Sequence, residues 1–335
     1  MNHCSYLGID VSKRKLDLAL LNDINSRKRK TKVFDNNAKG FELLLDWLNK
    51  NVDKDLSELR IIIESTGVYH RSLAYFLADH GLFVSLINPA DSHKFIASGN
   101  LHKTDQCDAI ALAEFGVALN LRDKLVQWQP KPIEIRQLNA LITRLDALKT
   151  DLQREQNRYE KAEVGDYPKD ILQSIINTQT FLKQEIVRLE KKIDDHIDRH
   201  PKLKKDCELL KTIPGVGEAV SLRMMSLYHS HKFHSASQMA AFLGLVPRLK
   251  ESGNYKGKAM LSKRGNSKIR ALLYLPAVVA KAHNPDIKHC YEHLLAKGKA
   301  KMQAIGAAMR RLVHICFGVL KHQSKYQARN AVICA

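Results

Sequence analysis

The chain has 335 residues, 44% of them apolar and 27% charged, with a net charge of +19. It is long enough for two or three domains with cores of their own, and its composition is ordinary for a soluble protein. No run approaches the ~18 apolar residues of a membrane span, and six scattered cysteines argue against a zinc ribbon or a disulfide framework, so we expect a cytoplasmic protein.

The first ~120 residues alternate strand-like and helix-like segments. A tight basic connection at residues 11–15 joins the first two strands and predicts a hairpin. The predicted strands are residues 6–10, 16–21, 31–34, 59–64 and 83–87, and the predicted helices are residues 37–49, 69–80 and 106–119, with a further helix after Pro89. Three strands, a helix and then alternating strands and helices form the order of a ribonuclease H-like fold.

Two helical seams follow in residues 133–200. Leucines recur at alternating spacings of three and four through residues 138–152, and a second seam runs through residues 172–193 with Gln179 as its polar exception. A break at residues 164–168 separates them. The pattern predicts either a helical hairpin within the chain or a coiled coil between subunits.

The C-terminal region opens on residues 209–218, where an apolar helix, I-P-G-V-G and a second helix follow one another. This pattern is typical of a helix-hairpin-helix, in which Gly215 and Gly217 let backbone N–H groups approach a phosphate. The alternative is a plain glycine turn. A polar, basic segment follows at residues 247–266, and the next predicted helices are residues 267–282 and 301–320.

The positive charge is concentrated in this C-terminal region. Residues 201–335 carry 24 Lys and Arg against 6 Asp and Glu, whereas residues 1–200 carry 30 against 29. Such an asymmetry predicts a polyanionic partner bound mainly by the C-terminal part. The alternative is a generally basic soluble protein.

Four acidic residues lie where a carboxylate is an unusual local choice. Asp10 and Glu64 each end an apolar run, and Asp105 and Asp108 lie one turn apart at the start of an apolar helix. Strand ends and a helix face can bring these side chains together, and carboxylates that converge repel one another unless a cation lies between them. Two Mg²⁺ ions, with Mn²⁺ as a substitute, held roughly 4 Å apart, can polarise a scissile phosphate and stabilise the attacking and leaving oxygens.

Each of these residues also has a local alternative. Asp10 can form a turn, and Asp105 can cap the helix that it begins. Glu64 is harder to explain in this way, because a charge at the edge of a core is costly without a partner. Lys103, beside Asp105, either contacts a phosphate or is solvated.

Short motifs throughout the chain resemble a known family. In the first half they are Y-L-G-I-D-V-S-K (6–13), E-S-T-G-V-Y (64–69), I-N-P (87–89) and K-T-D-Q-C-D-A (103–109). In the second half they are I-P-G-V-G-E (213–218), F-L-G-L-V-P-R (242–248), E-S-G (251–253) and S-K-R-G-N (262–266). They resemble the insertion-sequence-110 family of transposases, including its insertion-sequence-1111 branch, over the whole chain to about Leu320.

The resemblance implies a DNA recombinase that excises and inserts its own element. It implies a RuvC-like DEDD domain that uses the four acidic residues together with a serine nucleophile, and the matching serine is Ser252. It also implies a bridge RNA that pairs with target and donor DNA. The family assembles as homodimers to homotetramers, in which the RuvC-like domain of one subunit meets the serine domain of another.

The residues alone do not single out Ser252, because Ser-Gly is common in turns. A free serine hydroxyl is a weak nucleophile and needs activation. Basic side chains near it can neutralise a phosphate and stabilise developing charge. The candidates for binding nucleic acid lie around Ser252 and in and after the motif S-K-R-G-N, and they are Arg248, Lys250, Lys256, Lys258, Lys263, Arg264 and Arg270.

We therefore expect an α/β plus α protein that recombines DNA through a covalent phosphoserine. The expected parts are a RuvC-like domain (1–125), coiled-coil helices (133–200), a basic transposase domain (201–321) and a tail (322–335). The alternatives are a RuvC-like endonuclease that uses metal-activated water and a non-catalytic nucleic-acid scaffold. We expect the protein to act at the bacterial nucleoid, without contact with a membrane.

Overall fold

The computed structural model describes residues 4–328, apart from residues 27, 54, 66, 97–104, 249–250, 253–254, 257–259 and 263–264. At residues 93–96, 248, 251–252, 255–256 and 260 it describes the backbone alone. The chain divides into two compact units, residues 1–130 and 131–335. Among the described residues no helix is long and apolar enough to cross a membrane.

The first unit is built on a five-stranded mixed sheet. Its strands are β1 (Ser5–Val11), β2 (Lys15–Leu21), β3 (Lys30–Asp35), β4 (Leu59–Glu64) and β5 (Phe83–Ile87). They lie in the order β3-β2-β1-β4-β5, with β1, β2 and β3 antiparallel and with β4 and β5 parallel to β1. The predicted hairpin is confirmed, and the strand order and directions are those of a ribonuclease H-like fold.

Helices cover both faces of this sheet. They are α1 (Ala38–Asn51), α2 (Arg71–Asp79), α3 (Pro89–Ile96) and α4 (Asp105–Asn120), with a single 3₁₀ turn at Leu56–Glu58. The central strands are apolar on both sides because both sides are covered. Leu7 and Ile61 pack in a core with α1 and α2, whereas Tyr6 and Ile62 pack in a second core with Leu112 of α4.

One glycine decides how closely α4 lies on the sheet. A Cβ added to Gly8 of β1 would lie 2.0 Å from the carbonyl oxygen of Ala109 and 2.6 Å from the backbone nitrogen of Ala113. Real Cβ atoms do not approach backbone atoms so closely. The missing side chain therefore lets α4 pack directly on β1.

The second unit begins with two long helices, α5 (Ile133–Val164) and α6 (Lys169–Asp198). Most of both predicted seams is buried between them and the helices that follow, for example at Leu138, Leu145, Ile186 and Leu189. Leu172 and Ile175, at the start of the second seam, are only half-buried. Gln179 Nε2 donates a hydrogen bond to the carbonyl oxygen of Glu155, 3.1 Å away, across the two helices. The helical hairpin within the chain is thus confirmed, and a coiled coil between subunits stays a prediction.

Six shorter helices and four very short strands follow in the described part of the second unit. They are α7 (Pro201–Lys211), α8 (Glu218–Ser230), α9 (Ala236–Phe242), β6 (Pro247–Arg248), β7 (Glu251–Ser252), β8 (Tyr255–Lys256), β9 (Met260–Leu261), α10 (Ser267–His283), α11 (Pro285–Ala296) and α12 (Lys301–His322). Strand β6 pairs with β9 and β7 pairs with β8, both antiparallel. Neither α11 nor these strands were predicted from the sequence.

The residues that follow α12 are attached to the unit. Gln323 Nε2 donates to Asp206 Oδ1 at 2.6 Å. The Tyr326 hydroxyl donates to Asp286 Oδ2 at 2.8 Å, and the Tyr326 backbone N–H donates to Thr212 Oγ1 at 2.9 Å. The segment predicted as a tail therefore starts with residues fixed to α7 and α11, and residues 329–335 lie outside the described part of the chain.

Candidate active site

Two of the four predicted acidic residues lie side by side at one edge of the sheet. Asp10 is the last but one residue of β1, and Glu64 is the last residue of β4. The two strands run parallel with Ile9 opposite Ile63, so the next residue of each strand is carried to the same edge. The apolar runs before them therefore place both carboxylates at the margin of the core.

Helix α4 brings Asp105 and Asp108 to the same edge. Side chains alternate between faces along a strand, so Asp10 lies on the same face as Gly8. Helix α4 covers this face, because the atoms nearest to Gly8 belong to Ala109. Asp105 and Asp108 lie in the first turn of α4, just before this contact.

A fifth carboxylate, that of Asp17 on β2, belongs to the cluster. Asp17 lies directly opposite Asp10 in the pairing of β1 with β2, so the two side chains share a face. Carboxylate oxygens of Asp10, Asp17 and Asp105 lie within 4.8 Å of one another. Asp17 was not predicted from the sequence, although a charge inside the otherwise apolar strand K-L-D-L-A-L-L was a usable signal.

The crowding of negative charge changes the ionisation of Asp10. Burial, followed by the charges of Asp105, Asp108, Asp17 and Glu64, raises the pKa of Asp10 from 3.8 to about 6. All four neighbouring carboxylates therefore act on Asp10. A positive charge among them would relieve this repulsion.

Glu64 is held in place by a buried serine. The Ser92 hydroxyl of α3 donates to Glu64 Oε2 at 2.7 Å. Glu64 is 9% exposed and Ser92 is fully buried, so this hydrogen bond forms away from water and fixes one carboxylate oxygen. Ser92 was not predicted from the sequence, because nothing in N-P-A-D-S distinguishes it from a helix-capping serine.

A lysine lies against the same cluster. Lys15 Nζ is 2.6 Å from Asp105 Oδ2 and 3.1 Å from Asp17 Oδ2. The hydrogen bond to Asp105, followed by the ion pair with Asp17, raises the pKa of Lys15. From the sequence, Lys15 was predicted only as part of the hairpin turn, because its contact with Asp105 joins residues ninety positions apart in the chain.

The donor atoms of the cluster fit a hard divalent cation. Mg²⁺ and Mn²⁺ prefer carboxylate oxygens, whereas Zn²⁺ favours nitrogen and sulfur ligands. The oxygens of Asp10, Asp17 and Asp105, within 4.8 Å of one another, are close enough to share an ion. The residues present therefore fit the kind of metal that the sequence predicts.

The two predicted phosphate-binding glycines differ in their surroundings. Gly215 has a φ of +94°, which favours glycine, and an added Cβ would lie 2.7 Å from the Cβ of Ala280 in α10. Gly217 is the N-cap residue of α8, and no atom lies within 4 Å of an added Cβ. Packing against α10 accounts for Gly215, whereas Gly217 has open space at a helix N-terminus.

The predicted serine and most of the predicted basic residues lie in the second unit. Ser252 is in β7, where it pairs with Tyr255 of β8. Of Ser252, Arg248 and Lys256 only the backbone is described. The predicted residues that lie outside the described part of the chain are Lys103, Lys250, Lys258, Lys263 and Arg264.

Arg270 is engaged within the second unit. Its Nη1 donates to the carbonyl oxygens of Leu243, at 3.1 Å, and Gly265, at 3.0 Å. These bonds attach the start of α10 to the end of α9 and to the loop before α10. The Arg270 guanidinium therefore has a structural role, because it joins these two segments of the second unit.

Two family models match the chain. One, a DEDD model described as a transposase, matches residues 7–162, which include all five carboxylates of the cluster. The other, described as a transposase of the IS116/IS110/IS902 family, matches residues 207–292, which include Ser252.

Relatives match over most of the chain. The pilin gene-inverting protein of Moraxella bovis is 30% identical over 331 residues, which cover 97% of this chain and 98% of that protein. The transposase for insertion sequence element IS1111A of Coxiella burnetii is 25% identical over 291 residues, covering 80% of this chain and 79% of the relative.

Among solved structures, RuvC of Thermus thermophilus in complex with a Holliday junction substrate matches 38% of this chain and all of its own. The identity is 14% and the TM-score is 0.29, a likeness too slight to bear on function.

Proposed function

The chain belongs to the IS116/IS110/IS902 family of transposases, and we propose that it cuts and rejoins DNA at a metal site formed by Asp10, Glu64, Asp105 and Asp108. One observation carries the proposal. Oxygens of Asp10, Asp17 and Asp105, from three separate elements, lie within 4.8 Å of one another. These carboxylates repel one another, and the single ammonium of Lys15 beside them balances only part of their negative charge. The cluster therefore adds little to the stability of the fold and is best explained as a site for a divalent cation.

The surroundings of each carboxylate suggest its task. Asp10 on β1 and Asp105 on α4 would hold the metal. Glu64 has one carboxylate oxygen, Oε2, bound to the Ser92 hydroxyl, and its other oxygen would be offered to the metal. Asp108 is placed in the same turn of α4 as Asp105. When bound, two Mg²⁺ ions, or Mn²⁺ in their place, would polarise the scissile phosphate and stabilise negative charge on the attacking and leaving oxygens.

Ser252 is the proposed nucleophile. Its Oγ would form a bond to phosphorus as the bond from phosphorus to a backbone oxygen of DNA breaks. The serine proton is lost and the departing oxygen gains one, so the energy of the phosphodiester is kept in a phosphoserine link and the strand can be rejoined. The family match at residues 207–292 and the basic surroundings of Ser252 in the sequence support this assignment.

The proposed partners are donor DNA, target DNA and a bridge RNA that pairs with both. The excess of positive charge in residues 201–335, +18 of +19, supports binding to nucleic-acid backbones. Sequence would then be read by base pairing with the RNA and not by side chains. Because a relative is named a pilin gene-inverting protein, we include inversion of a DNA segment among the proposed reactions.

We further propose that homodimers or homotetramers assemble on the nucleoid in the bacterial cytoplasm, with the α5–α6 hairpin as the contact between subunits. The regular apolar seams of these helices support the proposal. Two large apolar residues of α6, Phe181 and Val187, are 59% and 66% exposed to solvent. These are available to a second subunit.

A cleavage assay with matched variants tests the metal site. The substrate is a supercoiled plasmid that carries the ends of the element, incubated with the guide RNA and Mg²⁺. Asp10→Asn should abolish strand cleavage, whereas Asp46→Asn, which changes an exposed carboxylate on α1, should keep the wild-type rate. Undiminished cleavage by Asp10→Asn, or by the wild type in EDTA, would overturn the proposal.

A second pair of variants tests the covalent step. The wild type and Ser237→Ala, which removes an exposed hydroxyl on α9, should form a protein–DNA adduct that survives denaturant. Ser252→Ala should bind the nucleic acids but form no adduct and exchange no strands. Metal-dependent cleavage by Ser252→Ala at the wild-type rate would instead indicate a nuclease that uses water.

A further inference from the structure

Lys15 differs from an ordinary surface lysine because its ammonium group contacts two carboxylates of the acidic cluster at once. Its Nζ touches two carboxylates from different elements, at 2.6 Å from Asp105 Oδ2 and 3.1 Å from Asp17 Oδ2. Those two residues, with Asp10, are the ones whose oxygens lie within 4.8 Å of one another. The ammonium therefore lies among the oxygens that would hold a cation.

The backbone places Lys15 there through a well-defined hairpin. Lys15 and Asp17 are two residues apart on β2 and so share one face of the sheet with Asp10. The Lys15 backbone N–H donates to Ser12 Oγ at 3.1 Å, and the Ser12 backbone N–H and hydroxyl both donate to the Lys15 carbonyl oxygen, each at 3.0 Å. The Asn36 side chain closes the turn by donating to the Ser12 carbonyl oxygen at 2.8 Å.

The Lys15 side chain is nevertheless able to leave. It is 45% exposed, and among the described residues its two ionic partners, Asp105 and Asp17, both belong to the cluster. A lysine is a compact cation on a flexible four-carbon stem, so it can swing into solvent without a change in the backbone. A divalent ion on the same oxygens would repel the ammonium strongly at this range.

We propose that Lys15 is the resident counter-cation of the metal site, which neutralises Asp105 and Asp17 until a divalent ion displaces it. The proposal rests on the proposed metal site and adds a positioning residue to it. Lys15 lowers the affinity of the empty cluster for metal and keeps its carboxylates from pushing β2 and α4 apart. Metal binding is then an exchange of cations, and an uncharged side chain at position 15 should remove the competitor.

Calorimetric titration of Mn²⁺ into the full chain tests the exchange. At about pH 8, where protons no longer compete for carboxylates, Lys15→Met should lower the Kd for Mn²⁺ by about tenfold, because a like charge beside the ion is gone. Lys15→Arg keeps the charge and should bind Mn²⁺ like the wild type. Lys30→Met, which removes the lysine 3.4 Å from Asp53 Oδ1 outside the cluster, is the matched control and should change nothing.

The outcomes separate this inference from the proposal on which it depends. If the wild type and Lys15→Met bind Mn²⁺ with the same Kd, the role of Lys15 is refuted and the metal site stands. If Lys15→Arg binds as tightly as Lys15→Met, the effect comes from lost packing and not from lost charge, which also refutes it. If Asp10→Asn binds Mn²⁺ as the wild type does, the proposed metal site itself is wrong.

Discussion

The close packing of α4 on Gly8 of β1 gives a sharp test of how the cluster is assembled. In Gly8→Ala the new Cβ would lie 2.0 Å from the Ala109 carbonyl oxygen, and contacts under 3.0 Å force a shift. Both nearest atoms are backbone atoms of α4, so no side chain can move aside and the helix must retreat by about 1 Å or more. Asp105 and Asp108 belong to that helix and would be displaced with it.

The expected cost has two parts. Overpacking of this kind destabilises a protein by about 1–3 kcal/mol, which lowers the melting temperature of the first unit. Displacement of catalytic groups by about 1 Å lowers reaction rates by about 100-fold. Gly8→Ala should therefore remain folded at low temperature but lose most of its strand cleavage.

The assay compares initial cleavage rates at saturating Mg²⁺, with thermal unfolding measured on the same samples. Gly318→Ala in α12 is the control, because an added Cβ there meets no atom within 4 Å and alanine favours the helix. Wild-type cleavage by Gly8→Ala would refute the view that close packing of α4 on β1 positions the site.

Three further predictions follow from the site and the charge distribution. The pKa of Asp10 is raised from 3.8 to about 6, so its ionisation opposes folding. The metal-free protein should therefore become less stable as pH rises through 6, and Asp10→Asn should flatten this pH dependence in thermal melts. Ser92→Ala should destabilise the protein by about 1–3 kcal/mol and slow cleavage, because buried Glu64 loses its hydrogen-bond donor. The control Ser174→Ala, which removes an exposed hydroxyl on α6, should change neither stability nor cleavage. Affinity for nucleic acid should fall steeply with salt in titrations by fluorescence anisotropy, and a flat response would contradict a role for residues 201–335.

The order of strands and helices in the first unit was predictable because its signals are local. Apolar runs that end in a charge mark the buried strands β1 and β4, and the basic turn between β1 and β2 marks the hairpin. The α5–α6 hairpin was predictable as helices from its seams. Which surface the seams bury is a matter of tertiary packing, and the sequence left both alternatives open.

The rest of the site depends on contacts between distant residues. Asp17 joins the cluster only through its register with Asp10, and Lys15 reaches Asp105 across ninety positions. Ser92 matters only because α3 buries it against Glu64. Helix α11 was missed for a related reason, since its buried apolar residues, Ile287 and Cys290, are too few to give a clear period.

If these carboxylates form one cation site, the ion should be visible in anomalous diffraction from crystals of the full chain grown with saturating Mn²⁺. We expect a manganese peak bonded to oxygens of both Asp10 and Asp105, with Lys15 turned away. Ordered carboxylates at these positions with no manganese peak between them would contradict this expectation.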